Sequence, residues 1–64
     1  MSDRFLRSQQ VIDLTGVPRA SRYEMINRGE FPRPVKLGKI AAWSEREITD
    51  WQKRCIAKRD RKTA

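Results

Sequence analysis

The sequence predicts a small α+β domain running helix, turn, helix, hairpin, helix. Three observations carry that prediction. Apolar residues recur at helical spacing between Ser8 and Gly16 and again before Gly29. The run Val35-Lys36-Leu37 alternates apolar and basic, and Gly38-Lys39 separates it from Ile40 to Trp43 as a two-residue turn would. Trp43, Ser44, Glu47 and Ile48 then spell a helix start. At 64 residues there is room for one such domain and a modest core.

The first helix is expected over residues 8 to 15 of "SQQVIDLTGV". Ser8 is the candidate N-cap, Gly16 can adopt the left-handed conformation that stops a helix, and Val11, Ile12 and Leu14 form the apolar side. The second helix lies in "RASRYEMINRG", where Pro18 suits a pre-helix position and Gly29 ends the run. Met25 and Ile26 turn inward with Arg22 or Tyr23, leaving Arg19, Ala20, Ser21, Glu24, Asn27 and Arg28 outward. The pair about "TGVP" reads as a helix-turn-helix, a pattern that a generic helical hairpin also satisfies.

Strands are expected over about 34 to 37 and 40 to 43, with Gly38 at the first central position of a type II′ turn. Pro32 and Pro34 exclude a central strand before it, and an unpaired Pro-rich loop is the alternative. In the third helix, from 45 to at least 55, Ser44 and Glu47 make a capping box and Trp43 packs on Ile48 as a hydrophobic staple. The expected core is Phe5 or Leu6, Val11, Ile12, Leu14, Tyr23, Met25, Ile26, Phe31, Val35, Leu37, Trp43, Ile48 and Trp51. Residues 1–56 then form the domain and residues 57–64 a basic C-terminal tail.

Composition narrows the function. Fifteen basic and eight acidic residues give a net charge of +7, of which residues 53 to 64 supply +5 from six basic residues and one acid. Such a tail is either a solvated helix end or an extension that attracts polyanions. With no histidine and a single cysteine, Cys55, neither a zinc site nor an intrachain disulfide is expected. No acid pair converges by spacing, so no enzyme, cofactor or metal is expected either. There is no apolar run near twenty residues and no secretory signal, which points to a cytoplasmic protein without a membrane partner.

The stretch "DLTGVPRASRYEMINRGEFPRPVKLGKIAAWSEREITDW", residues 13 to 51, resembles the AlpA family of small phage-type regulators. The marks are "LTG" before a basic helix containing Tyr23, then "RGEFPRPVKLG", then Trp43 with a short linker to Glu47, Ile48 and Trp51. That family is similar in fold to phage excisionases and to the DNA-binding head of MerR-type regulators. The resemblance implies a winged helix-turn-helix with Arg19 through Arg28 as recognition helix and Lys36 and Lys39 on the wing. It departs from the usual pattern at Pro18, where a hydroxyl residue is common, and at Arg22, where an aliphatic residue is common. The interval from Gly38 to Trp43 is also one residue shorter than usual.

The residues expected to meet DNA are Arg19, Ser21, Arg22, Tyr23, Asn27 and Arg28 on the recognition helix and Arg33, Lys36 and Lys39 at the wing. Arginine pairs bidentately with guanine and asparagine with adenine, so Arg19 and Asn27 are placed near base edges. Arg28 is placed on phosphate, against the plainer reading of a cation near a helix C-terminus. For Arg22 two readings stand: a stem across the core edge with its head in water or on phosphate, or a place in an interface. Tyr23 is either a core-edge residue or a phosphate donor, and Glu24 is a solvated ion-pair partner. Tail residues Lys53, Arg54, Lys58, Arg59, Arg61 and Lys62 add non-specific attraction, face solvent, or hold a recombinase.

The function these features imply is a sequence-specific double-stranded DNA-binding transcriptional regulator of phage or mobile-element origin. An excisionase-like recombination directionality factor shares the same surface chemistry, with an integrase or recombinase as partner. A non-enzymatic protein-interaction adaptor using its basic tail is the alternative of a different class. One module this small reads a short site, which implies self-association or cooperative binding.

Overall fold

The computed structural model describes residues 3–63, with side chains through Arg61, so the Lys62 side chain of the basic tail lies outside the described residues. The elements in chain order are β1 (Phe5–Leu6), α1 (Ser8–Thr15), α2 (Arg19–Asn27), β2 (Val35–Leu37), β3 (Ile40–Ser44) and α3 (Glu45–Thr63). Three helices and a small antiparallel hairpin make an α+β domain consistent with a winged-helix-type fold. The strand missing from the predicted order is β1, which adds to β3 to give a three-stranded sheet of order β1-β3-β2.

Helix α1 starts one residue earlier than expected in its capping. Arg7 is the N-cap, and its N–H donates to Gln10 Oε1 at 2.8 Å. Ser8 is helical instead, and its hydroxyl accepts from Arg22 Nη2. At the other end Gly16 takes φ +75° and donates to Ile12 O at 2.7 Å, closing the helix where a side chain would be strained. Val11 is fully buried and Ile12 half-buried, whereas Leu14 is exposed. At 100° per residue the inward arc runs through Ser8, Val11, Ile12 and Thr15, and Leu14 falls beside it.

Helix α2 follows an extended Pro18 and ends at Arg28 and Gly29. The loop beyond it is held by both tryptophans. Trp51 Nε1 donates to Glu30 O at 2.7 Å, and Trp43 Nε1 donates to Pro32 O at 3.0 Å. Phe31 between them is buried, with its ring edge-on to Trp51 at 4.7 Å. The Pro-rich approach to the hairpin is thus fixed by two indole donors, one from the buried Trp43 and one from the half-buried Trp51.

In the hairpin, Leu37 pairs with Ile40, Lys36 with Ala41 and Val35 with Ala42. Gly38 has φ +65° while Lys39 does not enter the positive-φ region, as a type II′ turn requires. This register corrects the expected inner face. Partners across a pair share a face and successive residues alternate, so Lys36 lies on the side of Ala41 and Trp43. Val35, Leu37 and Ile40 lie on the other side, 38%, 43% and 40% exposed, and Phe5, paired with Ser44, joins them at 47%, while Ala42 and Ser44 on that same side are buried. Lys36 itself reaches solvent because the core stops short of the hairpin tip.

The core is Leu6, Val11, Phe31, Trp43 and Ile48, ringed by Tyr23, Met25, Ile26, Ala41 and Trp51. Leu6 enters it by pairing with Trp43, and Ile48 by the helix start. Ser44 Oγ accepts the Glu47 N–H at 3.2 Å, one half of the expected capping box; the Glu47 side chain does not return a bond to the Ser44 N–H. Asp3 adds a second, non-local cap: Oδ2 accepts from Ser44 Oγ, and Oδ1 accepts the Arg46 N–H at 3.1 Å. From there α3 continues unbroken to Thr63, through residues whose order the sequence left open. Residues 53–63 contain no glycine or proline, and their cations suit a helix C-terminus. Among the described residues no helix is long and apolar enough to cross a membrane.

Candidate nucleic-acid interface

The outward part of α2 divides into two neighbouring strips. Arg19, Tyr23 and Asn27 follow one another four apart along a single ridge. Ser21, Glu24 and Arg28 form the strip beside it, all exposed. Arg19 is exposed and sits over the Tyr23 ring at 5.7 Å, which restrains a side chain that would otherwise sample many rotamers. The half-buried Tyr23 ring meets Trp43 edge-on at 6.3 Å, so the ridge is referenced to the core through one aromatic contact.

Arg28 pairs with Glu30 at 3.2 Å, with the two side chains 60% and 54% exposed. A pair this solvated contributes little and is readily exchanged for a phosphate. Asn27 and Ser21 have no side-chain hydrogen bond among the described residues, which leaves their polar groups available to a base edge or backbone.

Arg22 does not belong to this surface. It is fully buried, its guanidinium 4.7 Å from the Trp43 ring centre and 5.9 Å from that of Tyr23. Nη2 donates to Ser8 Oγ, Nη1 donates to Val17 O at 3.4 Å, and Nε has no partner. Burial lowers its pKa from the ordinary arginine value, with Tyr23 opposing the shift and neighbouring Arg19 adding to it. The expected contact from Arg22 to DNA is therefore corrected: the position faces the α1–α2 junction, where the only route for a charged head is inward onto aromatic faces and a carbonyl.

The wing cations are spread over the hairpin and its approach. Lys36 and Lys39 are exposed, at the strand and at the turn. Because Arg22 and Tyr23 lie against the Trp43 ring, α2 packs on the same sheet face to which Lys36 belongs. Arg33 stands apart, bordering a groove between the 29–35 loop and α3 that Arg54, Lys58 and Arg61 line from the other side. The sequence treats those three as part of a separate tail. Their shared face follows from spacings of four and three once the helix is known to continue.

No group of three or more histidine, cysteine, aspartate or glutamate side chains that could hold a metal ion occurs among the described residues. Residues 4–56 match the family model described as Prophage CP4-57 regulatory protein (AlpA). The chain is also similar to the uncharacterized protein ORF88 of Enterobacteria phage P4, at 47% identity over 60 residues covering 92% of this chain and 68% of that protein. No solved structure matches it. With the family match running from β1 through the helix pair and hairpin into α3, the chain belongs to the AlpA family of phage regulatory proteins.

Proposed function

We propose that this chain is a regulator that binds double-stranded DNA at specific sequences, with α2 in the major groove and the β2–β3 hairpin as a wing on the backbone. The register of the hairpin carries this reading. It assigns Lys36 to the sheet face on which α2 packs, so wing charge and the Arg19-Tyr23-Asn27 ridge belong to one side of the molecule. Division of labour follows from chemistry. Arg19 and Asn27 read base edges, while Arg28, Lys36 and Lys39 hold phosphates and set orientation. The order of elements also supports the finer fold assignment, a winged helix-turn-helix like those of excisionases and MerR-type heads.

Selection from a random duplex library, followed by footprinting, tests the proposal. An enriched motif is expected, protected from cleavage in both grooves around one short site. Arg19→Ala and Asn27→Ala should lower discrimination between that motif and a scrambled duplex. Equal affinity for every duplex offered to the folded chain would end the proposal.

A further inference from the structure

Helix α3 outruns the domain it starts in, and its projecting part carries an ordered pattern of charge. Glu47, Asp50, Arg54, Lys58 and Arg61 are spaced three or four apart, so they form one stripe along the helix. All five are exposed, and among the described residues none is engaged in an ion pair. Even Asp50 and Arg54, a full turn apart, do not join. The stripe reads acid, acid, base, base, base from the N-terminal end.

The stripe lines one side of a groove that Phe31, Arg33, Val35 and Trp51 also line. Trp51 is half-buried and Val35 exposed, so apolar surface lies open beside the charges. An occupant must therefore offer apolar contact together with basic charge toward the α3 N-terminus and acidic charge toward its C-terminus. A polyanion would meet Arg33, Arg54, Lys58 and Arg61 there but leave Glu47 and Asp50 opposed, whereas an occupant of mixed charge satisfies both ends of the stripe.

We infer that this face of α3 binds the same face of a second copy of the chain, the two helices antiparallel. About a two-fold axis at Arg54, Glu47 meets Arg61 and Asp50 meets Lys58, each pair occurring twice. Trp51 comes opposite Ala57, a residue small enough for the helices to approach. A parallel arrangement would set acid on acid and base on base. The two Arg54 side chains form the single like-charge contact, with both Asp50 carboxylates one turn away to offset it. Such an interface is isologous, the commonest kind in homodimers. At physiological salt the net repulsion between two copies of charge +7 is screened beyond about 8 Å, whereas direct pairs survive.

Charge exchange tests the pairing without DNA, independently of the proposed function. In reducing buffer at fixed physiological salt, sedimentation equilibrium of the intact chain should give the mass of two copies at high concentration. The variants E47K/D50K and K58E/R61E should each be monomeric, with helical circular dichroism unchanged. Mixed, they should form a heterodimer, since every reversed group then meets its opposite. A control, R46E/K53E, carries the same net charge as K58E/R61E with its stripe intact; it should self-associate as the parent does and pair with E47K/D50K far more weakly than K58E/R61E does. A wild-type chain that stays monomeric, a mixture that stays monomeric, or a control that pairs with E47K/D50K as well as K58E/R61E does would each overturn the inference.

Discussion

The guanidinium of Arg22 lies 4.7 Å from the centre of the Trp43 ring, both residues fully buried. This contact joins α2 to β3 at the centre of the fold. It is an uneven bargain physically: stacking on a desolvated ring gains about 2 kcal/mol, while a buried cation without a carboxylate loses much of its hydration. Among the described residues Arg22 makes no ion pair, and its Nε remains without a partner.

Two substitutions should separate packing from charge at this position. Arg22→Ala leaves a void against Trp43 and should lower the unfolding free energy by about 3 kcal/mol. Arg22→Met keeps most of the volume and removes the buried charge, so its stability should equal or exceed that of the parent. Urea unfolding followed by tryptophan fluorescence measures both. A methionine variant as unstable as the alanine one would show that the guanidinium itself, through Ser8 and Val17, holds the helix pair together. Duplex binding should survive in Arg22→Met, because the side chain lies inside.

The hairpin register gives an equally sharp contrast. Trp43→Ala should cost about 3–5 kcal/mol, a large share of the stability of any chain this size. Leu37→Thr, at an exposed position beside the hairpin turn, should cost under about 1 kcal/mol. Thermal unfolding of the two variants distinguishes the observed register from one shifted by a residue, which would bury Leu37 and make its loss severe.

What the sequence disclosed and what it hid follow from the range of the signals. The α3 start was legible because cap and staple lie within six consecutive residues, Trp43 to Ile48. The Gly38-Lys39 turn was equally local. Strand β1 is two residues long and is a strand only because Ser44 and Trp43 pair with it, so nothing within Phe5-Leu6 announces it. The alternation of Val35, Lys36 and Leu37 indicated a strand but not which face the helices would cover. In the candidate interface, spacing set Arg19 and Asn27 outward but left the inward place to Arg22 or Tyr23, so the ridge that Tyr23 completes was not legible from it. Between those two the structure buries Arg22, against the charge that argued for the surface and in line with the aliphatic pattern from which that position departs.

Asp3 makes the fold sensitive to acid. The hydrogen bond from Ser44 Oγ, then that from the Arg46 N–H, hold its carboxyl below the usual aspartate value. A folded-state value below the unfolded one means Asp3 adds stability that is full above about pH 4 and drains away as pH falls through the lowered folded value. The melting temperature of the parent should accordingly drop below pH 4 more steeply than that of Asp3→Ala. The two should differ at pH 7 and converge toward pH 2. Parallel curves over the whole range would mean that the carboxylate does not cap α3.

Salt dependence separates the two proposed classes of DNA contact. Each phosphate neutralised by a lysine or arginine releases counterions and steepens the fall of log affinity with log salt by about 0.9. Removing Lys36 and Lys39 together should flatten the slope by ~1.8 and weaken cognate and scrambled duplexes alike. Asn27→Ala removes no charge, so its slope should match that of the parent while preference for the cognate site falls by about 1–3 kcal/mol. Titrations at several salt concentrations on both duplexes supply all of these values. An unchanged slope in the double lysine variant would remove the hairpin from the DNA interface and leave α2 to act without a wing.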